Sequence, residues 1–75
     1  MQNGGIDRWQ TDFGKWVSNF GVCRLAISLD INRQAIYHWI GGRTFPSLSN
    51  AKKIIILSDN HLSMQKIYSH AEAIK

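Results

Sequence analysis

One cysteine and one proline are all that this sequence holds of the two residues that most constrain a backbone. Cys23 alone cannot close an internal disulfide, and no Cys/His cluster has zinc spacing, so neither bridge nor metal is expected to brace the fold. Its thiol reads as a small packed group at a helix start, with redox sensing as the other reading. Acidic residues number five and are scattered, so no carboxylate pair suggests general acid–base chemistry. Gly41-Gly42 follows a helix-like stretch and lacks the pattern of a phosphate-binding loop. No enzyme and no cofactor are expected. No apolar run reaches membrane-spanning length, and the N-terminus lacks the apolar core of a signal peptide. The expected setting is cytoplasmic, without membrane contact.

What is present is apolar and basic. Hydrophobic residues make up 44% of 75, with three Trp, three Phe and two Tyr, which argues for one folded domain over a disordered tail. Such a small core supplies only a few kcal/mol of net stability. The net charge of +4 is not spread evenly. Positions 24–53 hold Arg24, Arg33, Arg43, Lys52 and Lys53 against Asp30 alone. Elsewhere Arg8, Lys15, Lys66 and Lys75 are balanced by Asp7, Asp12, Asp59 and Glu72. The whole excess therefore lies in one window, as expected of a chain that meets a polyanion.

The same window carries the clearest pattern, over residues 22–43. Val22, Leu25, Ala26 and Leu29 share one side of a helical wheel, with Arg24 and Ser28 opposite. After Asp30-Ile31-Asn32 a second amphipathic piece runs from Arg33 to Ile40, with Ala35, Ile36 and Trp39 inward. Arg33, Gln34, Tyr37 and His38 face outward. Asp30 can bend the chain, and Asn32 can cap the second helix by accepting an N–H from Gln34 or Ala35. Two short helices, a tight turn and a small Ala26 at the crossing predict a helix-turn-helix over 22–40. Arg and Gln can pair bidentately with guanine and adenine edges in the major groove. The plainer reading of that outward face is solvated helix; the charge placement favours DNA.

The stretch RLAISLDINRQAIYHWIGGRTFPSL resembles the Cro and phage-repressor type of helix-turn-helix shared by small bacterial and phage regulators. The carrying residues are Leu25-Ala26, Asn32-Arg33-Gln34-Ala35-Ile36, Trp39, Gly42-Arg43 and Pro46, and the likeness covers about residues 20–57. It departs at Asp30, where the family usually has a left-handed Gly; the expected cost of Asp there is about 1 kcal/mol. The resemblance implies an all-α domain that binds double-stranded DNA as a transcriptional repressor. Asn32, Arg33, Gln34, Tyr37 and His38 would then contact bases. Arg24, Arg43, Thr44, Lys52 and Lys53 would hold phosphates, although Arg43 also reads as a solvated loop residue.

The rest of the chain predicts a compact bundle of about five short helices, with residues 1–8 as a flexible lead and 9–75 as the domain. Ile6, Trp9, Phe13, Trp16, Val17 and Phe20 recur at helical spacing. Helix 1 covers 12–19 with Thr11 as cap, and the stripe allows a start as early as Asp7. Its aromatics read as core ahead of a stacking platform. Phe45 reads as a plug between helices. Pro46-Ser47 opens a helix over 48–58, with Pro46 in its first turn and Leu48, Ala51, Ile54 and Ile55 inward. The β-branched run Ile54-Ile55-Ile56-Leu57 also fits a strand. Ser63 caps a last helix over 64–73, and His61 and His70 read as surface histidines. Ile56, Leu57, Ile67, Tyr68 and Ile74 offer apolar surface for a symmetric homodimer on an inverted repeat, whose half-sites lie about 34 Å apart. With no room for a sensing domain, regulation would fall to protein level, dimerisation or a partner. The alternative function is an antitoxin or antirepressor that acts by binding a protein.

Overall fold

The structure, a computed structural model, describes residues 7–74. Within them the chain is all-helical: α1 (Asp12–Phe20), α2 (Val22–Leu29), α3 (Arg33–Ile40), α4 (Leu48–Leu57), α5 (Met64–Tyr68) and α6 (His70–Ala73). No described helix is long and apolar enough to cross a membrane. The first six residues of the lead expected over 1–8, including the first stripe residue Ile6, lie outside the described residues. Asp7 and Arg8 belong to a turn, in which the Trp9 N–H donates to Asp7 Oδ1 at 2.8 Å.

Side-chain caps set most of the helix starts. Thr11 Oγ1 accepts from the Gly14 N–H at 2.8 Å, so α1 begins at Asp12 and not at Asp7. The Asp7 turn folds over α1 at Gly14, where any Cβ would run into the Arg8 carbonyl and the Trp9 Cα. Gly21 ends α1 at φ 101°, a conformation open to glycine, and the chain turns directly into α2. Ser47 Oγ caps α4 through the Asn50 N–H. Pro46 therefore lies just before the cap, outside the first helical turn where it was expected. Ile54–Leu57 is helix, not strand, because the inward row of Ala51 and Ile54 keeps helical spacing to the end. Ser63 caps α5 through the Lys66 N–H at 3.2 Å.

One core holds Phe13 and Val17 of α1, Leu25, Ala26 and Leu29 of α2, Ile36, Trp39 and Ile40 of α3, and Ala51 and Ile54 of α4. Leu62 and Ile67 close it from the C-terminal side. Trp9, Trp16, Phe20 and Ala35 are half-buried against it.

Several expectations need correction. The single last helix is two, divided at Ser69, whose ψ of −7° departs from the helical value of about −42°. Leu48 is 58% exposed: the inward row starts at Ala51, and the first turn of α4 overhangs the core. Phe45 is 52% exposed, tilted against the Tyr68 ring at 5.8 Å, while its neighbour Pro46 is the buried residue of that loop. His70 is only 2% exposed and belongs to the interior. Ile67, expected at a dimer contact, is 1% exposed. Its companions Tyr68 and Ile74 are half-buried: the Tyr68 hydroxyl donates to the Pro46 carbonyl at 2.9 Å, and Ile74 packs at Gly42. That stripe closes the monomer's core, leaving Ile56 and Leu57 as the exposed members of the proposed contact.

Candidate nucleic-acid interface

The turn between α2 and α3 is built by backbone geometry that the sequence makes affordable. Asp30 adopts a left-handed conformation at φ 57°, ψ 49°. Its N–H bonds the Ile27 carbonyl at 3.2 Å, and the Ile31 N–H reaches the Ala26 carbonyl at 3.0 Å. Those two bonds form a Schellman C-cap, closed as such caps often are by an apolar contact, here from half-buried Ile31. Asn32 follows in extended conformation, and its Oδ1 accepts from the Gln34 N–H at 2.9 Å to start α3. That bond uses the Asn32 oxygen, so an outside partner would meet its amide NH2 group.

α3 then divides cleanly. Ile36, Trp39 and Ile40 are buried, while Arg33, Gln34, Tyr37 and His38 are exposed. Arg33 and Tyr37 form one row at a spacing of one turn, and Gln34 and His38 form the adjacent row. The Arg33 guanidinium donates through Nη1 to Cys23 Sγ at 3.6 Å, which leans it on the first turn of α2. Cys23 is thus exposed and not packed as expected. Its link to Arg33 was not legible, because nothing in the spacing of two residues on different helices indicates it. Arg24 lies over the Phe20 ring, 4.6 Å from its centroid, and Phe20 stacks on Trp16 at 4.8 Å. The ladder keeps the Arg24 charge at the outer surface of α2.

The C-terminal end of α3 is held from two sides. The Gly42 N–H bonds the Trp39 carbonyl at 3.1 Å and the Arg43 N–H bonds the His38 carbonyl at 2.9 Å, which ties exposed Arg43 and Thr44 to the helix end. From the interior, His70 Nε2 lies 2.8 Å from the Ile40 carbonyl and His70 Nδ1 lies 2.6 Å from Thr11 Oγ1. A carbonyl only accepts, so Nε2 carries a proton, and in the neutral ring Nδ1 accepts from the threonine hydroxyl. Thr11 Oγ1 still accepts from Gly14, so the cap of α1, the imidazole and the end of α3 form one saturated chain of hydrogen bonds. Sequence reading missed this role, though His70 does fall three residues after buried Ile67.

Lys52 and Lys53 are exposed on α4, and neither pairs with a carboxylate among the described residues. The ion pair found there is Lys66 with Asp12 at 3.5 Å, joining α5 to α1. No group of His, Cys, Asp and Glu among the described residues is arranged to hold a metal ion. All ten residues expected at DNA are exposed. Comparison with family models, with curated proteins and with solved structures gives no match for this chain.

Proposed function

We propose that this protein is a sequence-specific regulator that binds double-stranded DNA, most simply a cytoplasmic repressor of the Cro and phage-repressor type that occupies a promoter. The observation that carries the reading is the two-sided α3. Its inner face is core, while its outer face presents Arg33, Gln34, Tyr37 and His38 as a continuous set of hydrogen-bonding groups at its first two turns. On this reading α3 enters the major groove, with Arg33, Gln34 and Tyr37 on base edges and Asn32 and His38 in support. Arg24, Arg43, Thr44, Lys52 and Lys53 hold the phosphates, which set affinity and register. A second copy on the other half of an inverted repeat would meet the first through Ile56 and Leu57. That contact is small, and DNA would have to strengthen it.

Retardation of a randomised duplex pool, followed by selection and titration at several salt concentrations, tests the proposal. Each phosphate neutralised adds about 0.9 to the slope of log affinity against log salt on B-DNA. A flat salt response, or a selected pool without a common sequence, would sink it. The reading of the chain as an antitoxin or antirepressor draws on a different observation, the exposed apolar residues of α4.

A further inference from the structure

The outer face of α4 is neither core nor ordinary solvated surface. Leu48, Lys52 and Ile56 recur at one-turn spacing along a single line, and Leu48 and Ile56 are 58% and 75% exposed. Exposed Phe45 lies in the loop three positions before Leu48, and Lys53 and Leu57 lie on the adjacent row. No acidic residue occurs within α4, and its two lysines have no carboxylate partner among the described residues. The face is an apolar–basic–apolar strip about 12 Å long, from the helical rise of 1.5 Å per residue.

Few surfaces complement such a strip. A phosphate backbone satisfies Lys52 and Lys53 but sets Leu48 and Ile56 against charge and water. A second copy crossing at the middle of the strip brings Lys52 against its own symmetry mate, and a crossing at the Ile56 end leaves Phe45 and Leu48 uncovered. The complementary shape is a helix with apolar residues about seven positions apart and Asp or Glu midway, whose carboxylates fall over the lysines. We infer that the α4 strip is a docking site for an acidic amphipathic helix of a partner protein. The occupied strip covers Ile56 and neutralises Lys52 and Lys53. If the DNA-binding reading holds, the docked partner therefore releases DNA, and this consequence rests on that reading while the docking itself does not.

A short helical peptide with two leucines one heptad apart and a glutamate pair midway is the probe, titrated into the isotope-labelled protein by NMR. Shift changes confined to Phe45 and α4 are expected, with affinity falling about tenfold when the glutamates are replaced by glutamine. Leu48→Ser, at an exposed position outside the proposed DNA and dimer contacts, is expected to weaken the peptide about tenfold while leaving retardation of the selected duplex unchanged. No shift changes, changes centred on α3, or equal binding of the glutamine peptide would each overturn the proposal. So would Leu48-dependent binding to phosphatidylglycerol vesicles without binding to the peptide, which would assign the strip to a lipid surface. Peptide binding by a protein that retards no DNA would keep the docking site and remove the DNA reading.

Discussion

Replacing His70 with alanine is expected to unsettle this protein more than any change on its proposed DNA face. The imidazole joins three elements: it accepts from Thr11 at the cap of α1, donates to the Ile40 carbonyl ending α3, and meets the Phe13 ring edge-on at 5.3 Å. Deletion breaks two buried hydrogen bonds and strands the Thr11 hydroxyl and the Ile40 carbonyl, at about 1 kcal/mol for each, the low end for a polar group left without its partner. Lost ring packing adds about 1 kcal/mol, from the lower range for aromatic contacts. The sum is about 3 kcal/mol. For a domain of this size each 1 kcal/mol moves the midpoint by about 4–8 °C, so thermal unfolding followed by far-UV circular dichroism should drop by about 12–24 °C. Thr11→Val separates the network from simple cavity formation: it removes the hydroxyl and leaves the imidazole bonded to Ile40 alone. If the bonds act as one chain, the double mutant should lose about 1 kcal/mol less than the two single losses added. A midpoint within a few degrees of the wild type, or strict additivity with Thr11→Val, would refute the reasoning.

Three further outcomes follow from the geometry. Asp30→Gly relieves a left-handed conformation and is expected to stabilise by about 1 kcal/mol in denaturant melts, while Asp30→Ala, which puts a residue that visits this region less readily than Asp at the same φ, should destabilise; a Gly variant no more stable than wild type would contradict the cost assigned to that turn. Gly14→Ala forces a Cβ into the Arg8 carbonyl and should cost at least about 1–3 kcal/mol, read by the same melts, unless the Asp7 turn is free to swing away. On selected duplex, Gln34→Ala should cost about 1–3 kcal/mol and relax preference at one or two base pairs, whereas Lys53→Ala should weaken all sequences alike; an unchanged preference in Gln34→Ala would remove α3 as the reader.

What the sequence made legible is what local chemistry controls. Thr11, Asn32 and Ser63 each cap the helix they were expected to cap, since a side-chain oxygen next to free N–H groups is a relation within a few residues. Asp30 makes the bend expected from its place between two amphipathic pieces, in the left-handed conformation that the family resemblance implied. The polar side of α3 was legible for the same reason: period alone separates Ile36 and Trp39 from Gln34 and Tyr37. The misses depend on contacts distant in sequence. Ile67 and Ile56 are equally apolar and both sit on helices, yet one is core and one is surface, because α5 closes against α1 while the far side of α4 meets nothing. His70 looks like a surface residue until Thr11, 59 positions earlier, supplies its partner. Phe45 lost its place in the interior to Pro46, a competition no hydrophobicity pattern ranks.

These long-range contacts matter to the proposed reader because α3 is too short to define itself. Eight residues make a marginal helix in water, where the nucleation cost exceeds what so few hydrogen bonds return. Its persistence and its orientation must come from what grips it. At the N-terminal end the grip is local: the Asp30 turn and the Asn32 cap fix where the first residues leave α2. At the C-terminal end it is remote, through Ile40 to His70 and from there to the cap of α1. A base-reading side chain must be held to a fraction of an ångström to discriminate donors from acceptors, whereas a phosphate contact tolerates a looser position. The interior histidine and the surface glutamine are therefore linked by a single requirement: the groups proposed to read a base edge sit on a helix whose C-terminal end is tied down from the interior, by a buried side chain on another helix.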